Sequence, residues 1–308
     1  MALLRSAFIA LSRNRMLRRF GERSRIGTKL SSRFVAGLEI EDALRVAEAL
    51  NRQGIFVTLD SLGESVTSAE EAHRAADVYH KLLDLIAERK VKSIISVKLT
   101  QMGLTLDPAL AGQIAESLAA HAAATGNFLR IDMEDSSLTQ VTVDIVRRLH
   151  ARPELRGHIG IVIQAYLYRS QADVEQLLAD GIRIRLCKGA YKEPATVAFP
   201  QKADVDANYI RLSCLLLDSP IYHGLATHDE AMVNAAITYA KQHQIPKDHF
   251  EFQMLYGVRR DLQRRLAAEG FPVRVYIPFG REWYPYFMRR LAERPANVIF
   301  IAKNLLRK

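Results

Sequence analysis

After residue 54, eight short apolar, β-branched runs recur, each followed by helix-forming sequence, and this alternation constrains the fold more than any other feature of the chain. The runs are IFVTLD (55–60), SIISVKL (93–99), FLRIDME (128–134), IGIVIQAY (159–166), RIRLCKG (183–189), YHGLAT (222–227), FEFQML (250–255) and VRVYIPF (273–279). Most read as Val/Ile/Leu-rich on both faces, the pattern of strands buried on both sides of a parallel sheet. The spacers, such as EEAHRAADVYHKLLDLIAERK and PALAGQIAESLAAHAAA, carry a 3.6-residue periodicity and good helix formers. Ser68, Asp107, Ser136, Ser170 and Asp229 stand where helices should start, and Gly126, Gly181 and Gly270 where they should close. Eight β-then-α units in about 240 residues is the count of an α/β fold of the (β/α)8 type. An open doubly wound sheet competes. It would need a glycine-rich phosphate loop after its first strand, and TLDSLGES lacks the GxGxxG spacing.

Composition excludes other classes. Of 308 residues, 49% are hydrophobic and 25% charged, too apolar for a disordered chain. No run approaches the roughly 18 apolar residues of a membrane span. Cys187 and Cys214 are the two cysteines, so neither a disulfide scaffold nor a CxxC site is available, which points to a reducing, cytoplasmic compartment. The net charge of +9 is uneven: residues 1–30 hold eight Lys/Arg against Glu22, and residues 259–308 hold twelve against four acids. No helix-turn-helix, finger or RNP pattern accompanies this basicity, so nucleic acid is not an expected partner. MALLRSAFIALSRNRMLRRF reads as an amphipathic basic helix that packs on the body, lies on an anionic membrane surface or serves as a transit peptide. Residues 1–50 are expected to form helices outside the barrel, EIEDALRVAEALNRQG among them, and residues 51–308 the barrel itself.

In such barrels the chemistry sits at the C-terminal strand ends. Those ends carry Asp60 with Glu64, Lys98, Asp132 with Glu134, Gln164, Arg185 with Lys188, Thr227 with His228, Gln253, and Tyr276. One polar strand end is usually only solvated; eight together line a site. No second histidine accompanies His228, so no metal centre is expected. Lys98 or Lys188 could form a Schiff base, as in an aldolase barrel. The strand-end lysines and Arg185 equally suit a substrate carboxylate or cofactor phosphates. In the last helix, REWYPYFMRRLAERPAN, Tyr286, Arg289, Arg290 and Glu293 share one face. An aromatic beside paired guanidiniums suits a small apolar amino acid.

The segments LDSLGES, SVKLTQMGL, RIDMEDS, QAYLYR, RLCKGAYKEP, ATHD, FEFQMLYG and YIPFGREWYPYFMRRLAERPAN span residues 59–297. Through them the sequence resembles the proline dehydrogenase family, in its short, monofunctional bacterial form. The resemblance implies a distorted (β/α)8 barrel holding FAD non-covalently, with the final helix over the strand C-terminal ends. It implies oxidation of L-proline to Δ1-pyrroline-5-carboxylate by hydride transfer to flavin N5, with electrons passed to a membrane quinone. On the matching positions, Lys98, Arg289 and Arg290 would hold the substrate carboxylate, and Tyr276, Tyr286, Leu255 and Tyr191 would wall its ring. Arg185 would approach flavin N5 and Asp132 would sit beside the reacting centre. Met133, Gln164, Lys188, Gly189, Ala190, Thr227 and His228 would contact FAD. Glu64 would pair with Arg289 as a gate. The rival readings are a Schiff-base lyase on Lys98 and a flavin-binding barrel without catalysis.

Overall fold

In the computed structural model all eight β-branched runs contain a strand: β1 (Phe56–Ser61), β2 (Ser93–Val97), β3 (Leu129–Ile131), β4 (Ile159–Gln164), β5 (Arg183–Cys187), β6 (His223–Ala226), β7 (Phe250–Leu255) and β8 (Val273–Phe279). Neighbours pair in parallel in chain order, and β8 pairs with β1 to close the barrel. The structure describes residues 31–63 and 65–293, with side chains through residue 288. The basic segment of residues 1–30, Glu64 and the side chains of Arg289 and Arg290 therefore lie outside the described residues. The helices are α1 (Ile40–Asn51), α2 (Ala69–Glu88), α3 (Pro108–Ala124), α4 (Thr139–His150), α5 (Ser170–Ala179), α6 (Lys202–Asp218), α7 (Glu230–Gln242), α8 (Arg260–Ala268) and α9 (Trp283–Glu293). No helix among the described residues is long and apolar enough to cross a membrane.

Local chemistry sets most helix ends. Ser68, Asp107 and Asp229 accept the backbone N–H of Glu71, Ala109 and Ala231, the expected N-cap bonds. Gly126, Gly181 and Gly270 take positive φ just past their helices. Two expected starts differ. Asp135, not Ser136, caps the short 3-10 turn Ser136–Leu138 that precedes α4. Ser170 is already helical and spends its hydroxyl on the Leu167 carbonyl (2.6 Å).

The helix before the barrel takes an unusual place. Ala43, Leu44 and Ala47 bury α1 against β1 and β8, the slot that the helix after β8 would otherwise fill. The last helix is thereby freed. Trp283, Tyr284, Tyr286, Phe287 and Met288 form a separate cluster with Phe34, Val35 and Leu62, and Leu62 follows the C-terminal end of β1. Val258, beyond the end of β7, packs on the same cluster. The final helix thus sits over the mouth of the barrel.

The strands are not apolar on both faces. Val57, Leu59, Ile95, Val97, Leu129, Ile131, Ile184 and Leu186 join one core with the helices. The alternate positions are polar: Thr58/Asp60, Ser96, Arg130, Arg183/Arg185, Glu251/Gln253 and Arg274/Tyr276. Their hydrogen bonds join strands that are not neighbours, such as Arg185 on β5 to Gln253 on β7 (2.6 Å), and so cross the barrel interior. Near the strand starts, Glu251 accepts from Arg274 Nε (2.7 Å), Gln253 Nε2 (2.6 Å) and the Tyr222 hydroxyl (3.1 Å). Long interior side chains need room, and glycines supply it. A Cβ on Gly160 would collide with the Arg183 carbonyl and the Arg130 guanidinium. Gly160→Ala should therefore destabilise by about 1–3 kcal/mol, read from denaturant midpoints at constant slope.

His223 on β6 adds a pH dependence. It is buried, its Nδ1 accepts the Ile184 N–H (3.0 Å), and burial pushes its pKa down to about 3. The folded chain refuses a proton that the unfolded chain takes near pH 6.5. This group's effect is absent above that pH, and stability falls by up to about 1.4 kcal/mol per unit as pH drops from about 6.5 towards 3. Urea titrations between pH 7 and 4.5 should show a shallower loss for His223→Asn than for the natural chain. Parallel curves would remove His223 as the cause.

Candidate active site

Four strands deliver one charged cluster. Lys98, just past β2, places Nζ 3.1 and 3.3 Å from the two Asp60 oxygens and 3.7 Å from Asp132 Oδ2. Asp132, just past β3, accepts from Arg185 Nη1 (2.9 Å) and Ser96 Oγ (2.5 Å) on Oδ1, and from the Tyr276 hydroxyl (2.7 Å) on Oδ2. Arg185 also lies over the Tyr276 ring, 5.2 Å from its centroid. Period-2 alternation explains the convergence: Ser96 and Lys98, Asp132 two positions after Arg130, and Arg183 and Arg185 occupy the inward positions of their strands.

Electrostatics fixes the protonation states. Burial pushes the Asp132 carboxyl up, but Arg185 and Lys98, with hydrogen bonds from Ser96 and Tyr276, outweigh it and hold the group below its usual range. Tyr276 is driven well above its usual value by burial and by the Asp132 charge, so it stays a hydroxyl and donates. Asp60 is only 1% exposed. Tyr79 from α2 donates to it at 3.2 Å, and burial keeps that phenol protonated. Lys98 retains 14% of its side chain exposed.

Around this cluster the other expected residues fall into place unevenly. Gln164 is buried at the end of β4, and its Oε1 has no partner among the described residues; neither has the buried Nη2 of Arg185. Met133 is buried and its carbonyl lies 3.5 Å from Gln164 Nε2. Thr227 is buried, and its hydroxyl accepts the Asp229 N–H (3.1 Å). His228 accepts the Leu255 N–H on Nε2 (2.8 Å), so its neutral ring carries the proton on Nδ1. Leu255 pairs in register with Tyr276 on β8, at the same strand end as the charged cluster. Lys188 turns to Asp206 and Asp229, the latter at 2.8 Å. Gly189 takes φ +110°, and a Cβ there would strike the Tyr166 ring. Ala190 and Tyr191 are exposed on the loop after β5, Tyr191 by 40%. Tyr286 is buried in the cluster beneath the last helix.

Some neighbours escaped the sequence reading. Ser96, Tyr79 and Gln101 complete the Asp60–Lys98–Asp132 network, with Gln101 Oε1 3.4 Å from the Tyr79 hydroxyl. Ser96 could have been found, because it precedes Lys98 by two on the same strand face. Tyr79 and Gln101 lie on a helix and a turn, where no period points at the barrel. Glu134 is a clamp: its carboxylate accepts the Thr100 N–H (3.0 Å) and hydroxyl (2.6 Å), tying the β2 and β3 ends together.

A closed (β/α)8 barrel with ionised groups gathered at its mouth defines a barrel enzyme for a small polar substrate. The proline dehydrogenase family model matches residues 43–303, and the chain belongs to that family. It is accordingly an oxidoreductase. Proline dehydrogenase 1 of Bacillus subtilis (strain 168) is 42% identical over 99% of this chain and 100% of its own length. Proline dehydrogenase of Deinococcus radiodurans is 45% identical over 90% of each. Among solved structures, proline utilization A from Bdellovibrio bacteriovorus, inactivated by N-propargylglycine, superposes with a TM-score of 0.81 at 27% identity. That alignment covers 86% of this chain and 32% of the longer one.

Proposed function

We propose that the chain oxidises L-proline to Δ1-pyrroline-5-carboxylate with FAD as its resident cofactor and a membrane quinone as final acceptor. The observation that carries this reading is the pair of orphaned polar atoms at adjoining strand ends. Arg185 Nη2 is a buried donor and Gln164 Oε1 a buried acceptor, and neither has a partner among the described residues. Leaving such groups unmatched costs about 1–3 kcal/mol each, so they suit a bound heteroaromatic ring that presents both acceptors and donors. Gln164, Arg185, Met133, Thr227, His228 and the 188–190 turn would hold FAD. When bound, FAD would supply the two-electron acceptor that takes a hydride from the carbon next to the proline nitrogen.

The protein's own groups bind and orient. Lys98 offers the substrate carboxylate a cation, joined on the family pattern by Arg289 and Arg290 from the last helix. Asp132 stays ionised and is steered by Arg185, Ser96 and Tyr276, so a fixed negative charge faces the amine side of the substrate. The last helix over the mouth limits access of water. The same arrangement argues against a Schiff-base lyase: Lys98 is engaged by two carboxylates, whereas a Schiff-base lysine must lose its proton. A quinone acceptor stays in the bilayer, and the +7 charge and apolar stripe of residues 1–30 suit transient contact with the inner face of the membrane. The test is an absorption spectrum of the purified chain with dye-linked proline oxidation. Visible flavin bands and proline-dependent dye reduction without NAD are expected. A colourless chain that cannot be reconstituted with FAD would sink the reading.

A further inference from the structure

Arg130 lies on β3 two positions before Asp132 and is 2% exposed. Its Nη1 donates to two backbone carbonyls, Ile161 (3.0 Å) and Arg183 (2.6 Å). Its Nε is equally buried and has no partner. No carboxylate pairs with it among the described residues, and the guanidinium rests instead on the Phe128 ring, 4.8 Å from the centroid. Arg183 is similar: it donates to the Tyr222 carbonyl (3.2 Å) and lies on the same Phe128 ring at 4.5 Å. The interior carboxylate whose charge acts on Arg130, Glu251, makes its hydrogen bonds to Arg274, Gln253 and Tyr222. Burial, and then the like charges of Arg185 and Arg183, push the Arg130 guanidinium well below its usual range against the opposite pull of Glu251.

This is a costly arrangement. Glu251 is the anion that acts on Arg130, and it is shared with Arg183 and hydrogen-bonded to Arg274. A buried cation without a hydrogen-bonded carboxylate of its own destabilises, and an apolar side chain of similar volume would serve the fold better. Two backbone bonds account for one nitrogen of the three. The remaining charge lies beneath the Asp132–Arg185 pair, so its field reaches whatever sits on the strand ends. In a water-excluded interior that field is weakly screened.

We propose that Arg130 is a positioning residue acting through its field: it favours the more negative, reduced state of the bound flavin and so raises the cofactor's reduction potential. The proposal rests on the FAD reading above. Accepting a hydride adds one negative charge to the bound group, and a cation below the site, only partly offset by the shared Glu251, stabilises that charge. A merely structural Arg130 would brace the β4 and β5 carbonyls and leave the potential alone.

The experiment is an anaerobic dye-equilibrium titration of the FAD-loaded enzyme, alongside thermal melts. Arg130→Met should shift the oxidised-to-reduced equilibrium at least tenfold towards oxidised, about 30 mV for a two-electron couple. Arg130→Lys keeps the charge but not the fork, and should stay within threefold of the natural enzyme even if it melts earlier. Equal potentials for the natural enzyme and Arg130→Met overturn the proposal, as does a Lys variant that falls with the Met variant. If Arg130→Met does not hold FAD, Arg183→Met decides. It withdraws the neighbouring charge on the same ring and should lower the potential in the same direction; no change overturns the proposal. A natural chain that binds no FAD would instead defeat the functional reading, so the two failures are distinguishable.

Discussion

Asp132→Asn should lower kcat/KM for proline by about 30- to 5,000-fold, corresponding to the 2–5 kcal/mol lost when one partner of a buried, hydrogen-bonded charge pair is removed. Asp132 is where β2, β3, β5 and β8 meet: it accepts from Ser96, Arg185 and Tyr276 and lies 3.7 Å from Lys98. The asparagine keeps the shape and one acceptor but not the charge. Arg185 Nη1 then retains Ser96 Oγ at 3.4 Å, and its Nε retains Gln253. Two cations would face the substrate without their shared anion, and Tyr276 would lose the acceptor that orients its hydroxyl. Because the natural carboxyl is held below its usual range, the loss should persist at neutral pH and be largest there. Steady-state kinetics with an artificial dye, corrected for the fraction of folded protein, measures it. A rate within threefold of the natural enzyme would reduce Asp132 to a scaffold residue.

How far this site could be read from sequence depends on which physical signal each residue carries. The eight strands announce themselves by β-branched runs, and β3, β5 and β8 start within a residue of the expected positions because Gly126, Gly181 and Gly270 stop the preceding helices. Lys98, Asp132, Arg185 and Tyr276 were legible as strand-end polar groups. The polar interior was not. Arg130, Arg183, Glu251 and Arg274 alternate with apolar residues, so the period-2 signal is present in LRIDM, RIRLC, FEFQM and VRVYI. A barrel prior filled with branched apolar side chains works against noticing it. Tyr79 and Gln101 reach the site from outside the strands, and only the closed barrel brings them to Asp60. The slot taken by α1 is likewise a tertiary outcome: an amphipathic helix declares a buried face but not the surface that covers it.

Glu251→Gln should cost the fold about 3–5 kcal/mol, the penalty for breaking a buried pair and leaving a cation unpaired. Glu251 is 2% exposed and supports Arg274, whose Nη1 also braces the Val57 carbonyl at 2.7 Å, across the β8–β1 seam that closes the barrel. Burial pushes its carboxyl up, but Arg274 together with the bonds from Arg274 and Gln253 holds it below its usual range. A depressed carboxyl contributes stability that is present above its unfolded pKa of about 4.3 and lost as pH falls through the lower folded value. The gap between natural and Glu251→Gln chains should therefore be full at neutral pH and narrow in acid. At roughly 2–4 °C per kcal/mol for a chain of 150–250 residues, the melting point should drop by roughly 6–20 °C, towards the low end for this longer chain. Removing the partner as well should restore part of the loss. In Glu251→Gln/Arg274→Met no pair is left broken, although Arg130 and Arg183 then have no anion beside them. A single variant that melts with the natural chain would mean that the interior arginines are solvated by water, and a double variant worse than the sum of its parts would mean that Arg274 acts mainly through Val57.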